Sequence, residues 1–192
     1  MIPFLLLFFC FLFHGCAGNK AMDCSPFTPP TDAVLIRDVP FFPQTDSNCG
    51  PASLASVLTY YGDAVTPKEV AESIYRQNLG GTVTLDMILF ARQRGFTARW
   101  YSGEAGHLRK ALEKGVPLIV MVDLGFARVI KNHYMVLVGC DPQGVIVNTV
   151  EAKKRQIPWQ RFLSAWQRTA CWTLWVEKPH VHGSTFEERT KM

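Results

Sequence analysis

Apolar residues recur at helical intervals through the first half of the chain and gather into short runs beyond Pro117. This change of period predicts helices first and strands second. Pro51 suits a first helical turn and Gly62 an end, which predicts a helix over 50–61. The segment "TPKE" at 66–69 has a capping-box pattern with proline just inside the start, so a second helix should run to about Gln77, where "LGG" closes it. Thr84 can cap a third helix that continues through Arg94 and stops at Gly95. A fourth should run from Ala105 to Lys114 and stop at Gly115. The runs "PLIVMVD", "HYMVLVGC", "GVIVNTV" and "CWTLWVE" are rich in β-branched and aromatic residues and read as strands, with "CDPQG" as the turn between the second and third. Late in the chain, Trp159, Phe162, Leu163 and Trp166 fall at i, i+3, i+4 and i+7, one apolar helix face made for packing. The expected class is α+β, with N-terminal helices packed on a C-terminal antiparallel sheet.

The ends of the chain follow a different pattern. Residues 2–13 are a nearly unbroken apolar run, short for a membrane span and suited to a signal-peptide core, so 1–15 is expected to be a signal peptide. It ends in "LFHGC", which resembles a lipoprotein processing box and makes Cys16 the expected lipidated residue. Ordinary secretion with cleavage nearby is the alternative. Residues 16–33 are small, polar and Pro-rich and read as a tether, 34–178 as the folded domain, and 179–192 as a polar tail. His180 and His182 in that tail offer two metal ligands without a third, so no metal site is assigned. The expected location is the cell envelope, on a lipid-anchored membrane at its periplasmic or extracellular face.

Composition narrows the function. An apolar fraction of 48% against 19% charged fits one globular domain with a core. The net charge of +4 comes without a long Lys/Arg run, which argues against nucleic acid as a partner. No G-x-x-x-x-G-K-[ST] occurs, which argues against a nucleotide. With Cys16 lipidated and Cys49 kept free, at most one disulfide can form among Cys24, Cys140 and Cys171, so this is no disulfide framework. Cys140 and Cys171 lie in apolar runs and read as core residues.

The chemistry centres on "PQTDSNCGPASLASVLTYYG" at 43–62. The thiolate is the nucleophilic form of cysteine, and a helix N-terminus favours it through unpaired N–H groups and the helix dipole. Cys49 stands at such a start, and the small residues after it let the helix lie close to a neighbour. A buried structural thiol is the plain alternative. A nucleophilic cysteine needs a base, and His133 opens an otherwise apolar strand in "NHYMVLVGC". His107 lies among charged helical neighbours and reads as surface. The hairpin after His133 returns a second strand to the same end, where Asn148 could orient the imidazole. Asp141 sits at the far end of that hairpin, about 20 Å away for a strand of this length. Gln44 can offer a side-chain amide to an oxyanion, together with the Cys49 N–H. No metal or organic cofactor is called for.

At these residues the chain resembles the C39 peptidase family, especially its stand-alone C39-like members. The resemblance rests on "VPFFPQ", "NCGPASLASVLTYYG", "GGTVTLDMILFARQRGFTARWY", "VPLIVMVD" and "NHYMVLVGCDPQGVIVNT", and covers roughly 38–178. It implies a papain-like fold and a cysteine peptidase acting on a peptide or protein substrate. Carried over, the nucleophile is Cys49, the base His133 and the oxyanion donor Gln44. The family's Asp position falls on Thr149, with Asn148 just before it, and Asn148 is taken as the third member. Two other functions remain on the same fold: a peptide-binding module without catalysis, and an amidase or endopeptidase acting on cell-wall peptides.

Overall fold

The computed structural model describes residues 27–43, 46–149 and 152–179. In chain order the elements are β1 (Val34–Leu35), α1 (Cys49–Tyr60), α2 (Pro67–Ile74), β2 (Tyr75–Arg76), β3 (Gly81–Thr82), α3 (Thr84–Gln93), β4 (Thr97–Ser102) and α4 (Ala105–Glu113). They continue with β5 (Leu118–Asp123), β6 (Asn132–Cys140), β7 (Gly144–Thr149), β8 (Ala152–Pro158), α5 (Trp159–Gln167) and β9 (Trp172–Glu177). Four of the five helices precede β5–β9, as the periodicity predicts, while β1 and β4 come before α4 and α5 lies between β8 and β9. The main sheet runs β4-β9-β5-β6-β7-β8, with β1 added on β6.

Local chemistry explains most boundaries. The Thr66 hydroxyl accepts from Glu69 N–H, while Glu69 returns a carboxylate to Thr66 N–H, so the capping box is complete and Pro67 begins α2. That helix stops at Ile74, short of Gln77, because Tyr75 and Arg76 pair with Thr82 and Gly81 as a small hairpin. Val83, not Thr84, caps α3; the Thr84 hydroxyl instead accepts from Trp172 Nε1 at 3.0 Å. Helices α1 and α4 pack on β5 and β6, and α5 packs on β5, β7 and β8. The core between them includes Leu54, Leu58, Leu108, Leu137, Phe162 and Trp166, all fully buried.

One irregularity decides the geometry of the site. Next to the hairpin turn, Cys140 pairs with Val145 and Gly139 with Ile146. Beyond it, Leu137 pairs with Val147 and Val136 with Asn148. Val138 has no partner on β7, so the register slips by one residue at a β-bulge. Glycine is required beside the bulge because β1 crosses there. A Cβ on Gly139 would come within 2.6 Å of the Val34 carbonyl oxygen. Asp141 shapes the adjoining turn, where its Oδ1 accepts from the Gln143 and Gly144 N–H groups at 2.8 and 2.9 Å.

Candidate active site

Cys49 is the first residue of α1 and is almost fully buried. Asn48 makes no side-chain cap bond, and the first turn holds no acidic residue. Pro51 contributes no N–H. The positive end of the helix is therefore not neutralised by a carboxylate within its own first turn, and favours a thiolate at Cys49. Gly50 is needed for close approach, since a Cβ there would meet Thr82 Cβ and Oγ1 at 3.0 Å. The small side chains that follow serve the same packing, and the buried Ser56 hydroxyl donates to the Pro40 carbonyl.

Cys49 opens on a cleft of about 260 Å³ walled by Leu79, Gly81 and Thr82 on one side and by Met121, Asn132 and Tyr134 on the other. The two strand residues Asn132 and Tyr134 flank His133, which is buried at the start of β6. Tyr134 stacks edge-on against Trp172 with ring centroids 5.0 Å apart. Its phenol is pushed up to about 12 by burial and then by the neighbouring charge of Cys49, so it stays protonated.

The structure brings Thr149, not Asn148, to the imidazole. His133 Nε2 lies 3.0 Å from Thr149 Oγ1, and both side chains are buried. Asn148 turns away, and its Oδ1 accepts the N–H of Lys154 at 2.9 Å, where β8 is itself irregular with φ 55°. The cause is the bulge. In an unbroken hairpin Asn148 would share a face with His133, but the one-residue slip exchanges faces and hands that place to Thr149. Sequence reasoning could locate the strand end but not the bulge. The available signal was the alignment of Thr149 with the acidic position of the family pattern.

A second cavity of about 130 Å³ adjoins Thr149, with Met135, Phe162, Arg155 and Arg161 in its lining. Asp141 lies in the hairpin turn, as strand length requires. His107 is exposed and 3.8 Å from Glu104. Cys140 is free and buried, and burial pushes its thiol up to about 11. Cys171 is fully buried in the core, as its apolar run predicts, and it is disulfide-bonded. Neither Cys49 nor Cys140 is in a disulfide. Gln44, Cys24, the segment expected to be a signal peptide, Cys16 with its expected lipidation, and the His180/His182 pair lie outside the described residues. Among the described residues no three His, Cys, Asp or Glu side chains gather as a metal site, and no helix is long and apolar enough to cross a membrane.

Comparison with known proteins bears on the family and the fold. The sequence profile of the Peptidase_C39 like family matches residues 36–173. The transport/processing ATP-binding protein ComA of Streptococcus pneumoniae is 29% identical over 134 residues, which is 65% of this chain and 17% of that protein. The chain thus spans 17% of the length of this curated relative. Among solved structures, a C39-like peptidase from Bacillus anthracis superposes with a TM-score of 0.66 at 19% identity, covering 77% of this chain and 98% of the other. The peptidase domain of Streptococcus ComA, a bi-functional ABC transporter, gives a TM-score of 0.60 at 26% identity, covering 73% and 98%. A double glycine motif protease from an AMS/PCAT transporter, in complex with its leader peptide, gives 0.60 at 25%, covering 76% and 98%.

Proposed function

From the premise that this chain belongs to the Peptidase_C39 like family, a family of papain-like cysteine peptidases, we propose that Cys49, His133 and Thr149 form its catalytic apparatus for peptide-bond hydrolysis. The observation that carries the proposal is Cys49 at the start of α1, in one cleft with both neighbours of a buried histidine held by Thr149. With Nε2–H donating to Thr149 Oγ1, Nδ1 is left as the basic nitrogen. It takes the proton of Cys49. The thiolate then attacks the peptide carbonyl carbon and forms a C–S bond, while the carbonyl oxygen gains the negative charge. The Cys49 N–H and the Gln44 side chain are proposed to hold that oxygen. The imidazolium gives its proton to the leaving nitrogen as the C–N bond breaks, which leaves an acyl-thioester. Water, deprotonated by His133, attacks the thioester; the C–S bond breaks and the acid departs.

Thr149 differs from a carboxylate in one respect. It fixes the tautomer and the ring plane, but it is neutral and adds no charge to balance an imidazolium. That difference supports a second reading, in which the cleft binds a peptide without cutting it. The rate of Cys49 alkylation by iodoacetamide, followed against pH by mass spectrometry in wild type and His133→Ala, separates the two. Fast reaction at pH 6 that slows in His133→Ala supports the peptidase. A rate that rises only near the ordinary thiol range in both proteins refutes it.

The substrate class we propose is a peptide or unfolded segment, in keeping with the leader peptide bound to the double glycine motif protease. For location we propose an envelope lipoprotein anchored through Cys16, supported by the apolar run and the "LFHGC" segment. Metabolic labelling with palmitate should mark the wild type and not Cys16→Ala. Equal labelling of both refutes the anchor.

A further inference from the structure

The loop between β5 and β6 displays large apolar side chains to solvent. Leu124 is 50% exposed, Phe126 88%, Val129 69% and Ile130 75%. Such a group on one short segment is unusual on a protein surface and marks a place of interaction. The loop is firmly built. Leu124 N–H donates to the Lys131 carbonyl at 2.8 Å, and Val129 N–H to the Phe126 carbonyl at 3.0 Å. Asp123 ties both ends together, since its Oδ1 accepts from Gly125 N–H at 2.7 Å and from Lys131 N–H at 2.9 Å. Its Oδ2 accepts from Arg168 Nε at 3.2 Å. A Cβ on Gly125 would fall 1.8 Å from the Val129 carbonyl oxygen, so only glycine closes the turn. The scaffold thus turns polar backbone inward and apolar side chains outward.

We propose that residues 124–131 form a membrane-docking wedge for a bilayer that bears anionic headgroups. Phe126, Val129 and Ile130 would enter the boundary between headgroups and acyl chains. Arg128, which lies between Phe126 and Val129 in the segment, would lie at phosphate level. The Asp123 carboxylate that closes the loop is committed to the Gly125 and Lys131 N–H groups and to Arg168. Arg128 thus places a basic charge within the apolar tip, complementary to an anionic surface. Phe126, Val129 and Ile130, 69–88% exposed, project from the loop, which suits a lipid surface better than the groove or strand edge that takes an extended peptide. Met121 and Asn132, on the strands that carry the loop, line the Cys49 cleft, so docking would open that cleft beside the bilayer. The inference stands on the loop alone and needs neither catalysis nor an N-terminal anchor.

The test is lipid quenching of tryptophan emission in the full chain. Phe126→Trp is compared with the parent, whose five native tryptophans supply the baseline. Both are bound to vesicles of phosphatidylcholine and phosphatidylglycerol with plain or brominated acyl chains. The expected result is loss of most of the emission added by Phe126→Trp in the brominated vesicles, with little change in the parent signal. Replacement of phosphatidylglycerol by phosphatidylcholine should weaken the quenching. Added emission that stays unquenched on vesicle-bound protein overturns the proposal. So does a blue shift of that emission that grows with protein concentration in the absence of lipid, because it assigns the loop to a protein contact.

Discussion

Replacing Thr149 by valine removes one hydroxyl and leaves the shape nearly unchanged. His133 Nε2 then loses its 3.0 Å partner in a buried setting. An unsatisfied buried donor costs about 1–3 kcal/mol. At about 1.4 kcal/mol per tenfold, this is roughly a 5- to 150-fold penalty on the ring orientation that serves Cys49. The assay is the iodoacetamide rate of Cys49 at pH 6.5, and Thr149→Val should slow it by a factor in that range. Asn148→Ala removes the acceptor of Lys154 N–H instead. It should lower stability by about 1 kcal/mol and leave the Cys49 rate near wild type. Thr149→Asp should raise the rate, since a carboxylate there balances an imidazolium and the adjoining cavity carries Arg155 and Arg161. Slowing by Asn148→Ala with no effect of Thr149→Val would refute the bulged register and the role given to Thr149.

Further expectations concern the frame of the site. Gly50→Ala should destabilise the fold by about 1–3 kcal/mol through contact with the Thr82 Cβ and Oγ1, and Thr82→Gly in the same chain should recover more of the loss than Thr82→Ala, which keeps the Cβ, read as double-mutant cycles in urea. Asp123 is held below its ordinary value of 3.8 chiefly by the N–H groups of Lys131 and Gly125. Its support of the loop is complete above that range and is lost as the pH falls through the lowered folded value. Amide shifts of Gly125 and Lys131 should therefore hold steady from pH 7 to 5 and move only at stronger acidity; movement centred above pH 5 would contradict this. Cys140, with its thiol pushed up to about 11, should resist alkylation at pH 8 in the folded protein and react after unfolding.

Much of this architecture was legible in the residue pattern. All five helices and the strands β5, β6, β7 and β9 follow from periodicity, caps and β-branched runs. Strands β4 and β8 did not, because neither shows a clean apolar face. Thr97–Ser102 buries Ala98 fully and leaves Trp100 half exposed, and Ala152–Pro158 is mostly exposed at the sheet edge. Their hydrogen bonds come from neighbours that no local pattern announces. Placing His133 at the mouth of β6 needed only strand length and the turn at Asp141. Choosing between Asn148 and Thr149 needed the register, and one unpaired residue at Val138 changed the answer. Its sequence trace is Gly139, whose meaning is clear only once β1 is seen to cross it.

The proposed peptidase activity depends on Cys49 as its nucleophile. Its most direct test is hydrolysis of a complex peptide library, read by mass spectrometry, by the wild type, Cys49→Ala and Cys140→Ala. New peptide termini are expected with the wild type and with Cys140→Ala, and none with Cys49→Ala. Undiminished cleavage by Cys49→Ala, or a wild type that cuts nothing, would contradict it.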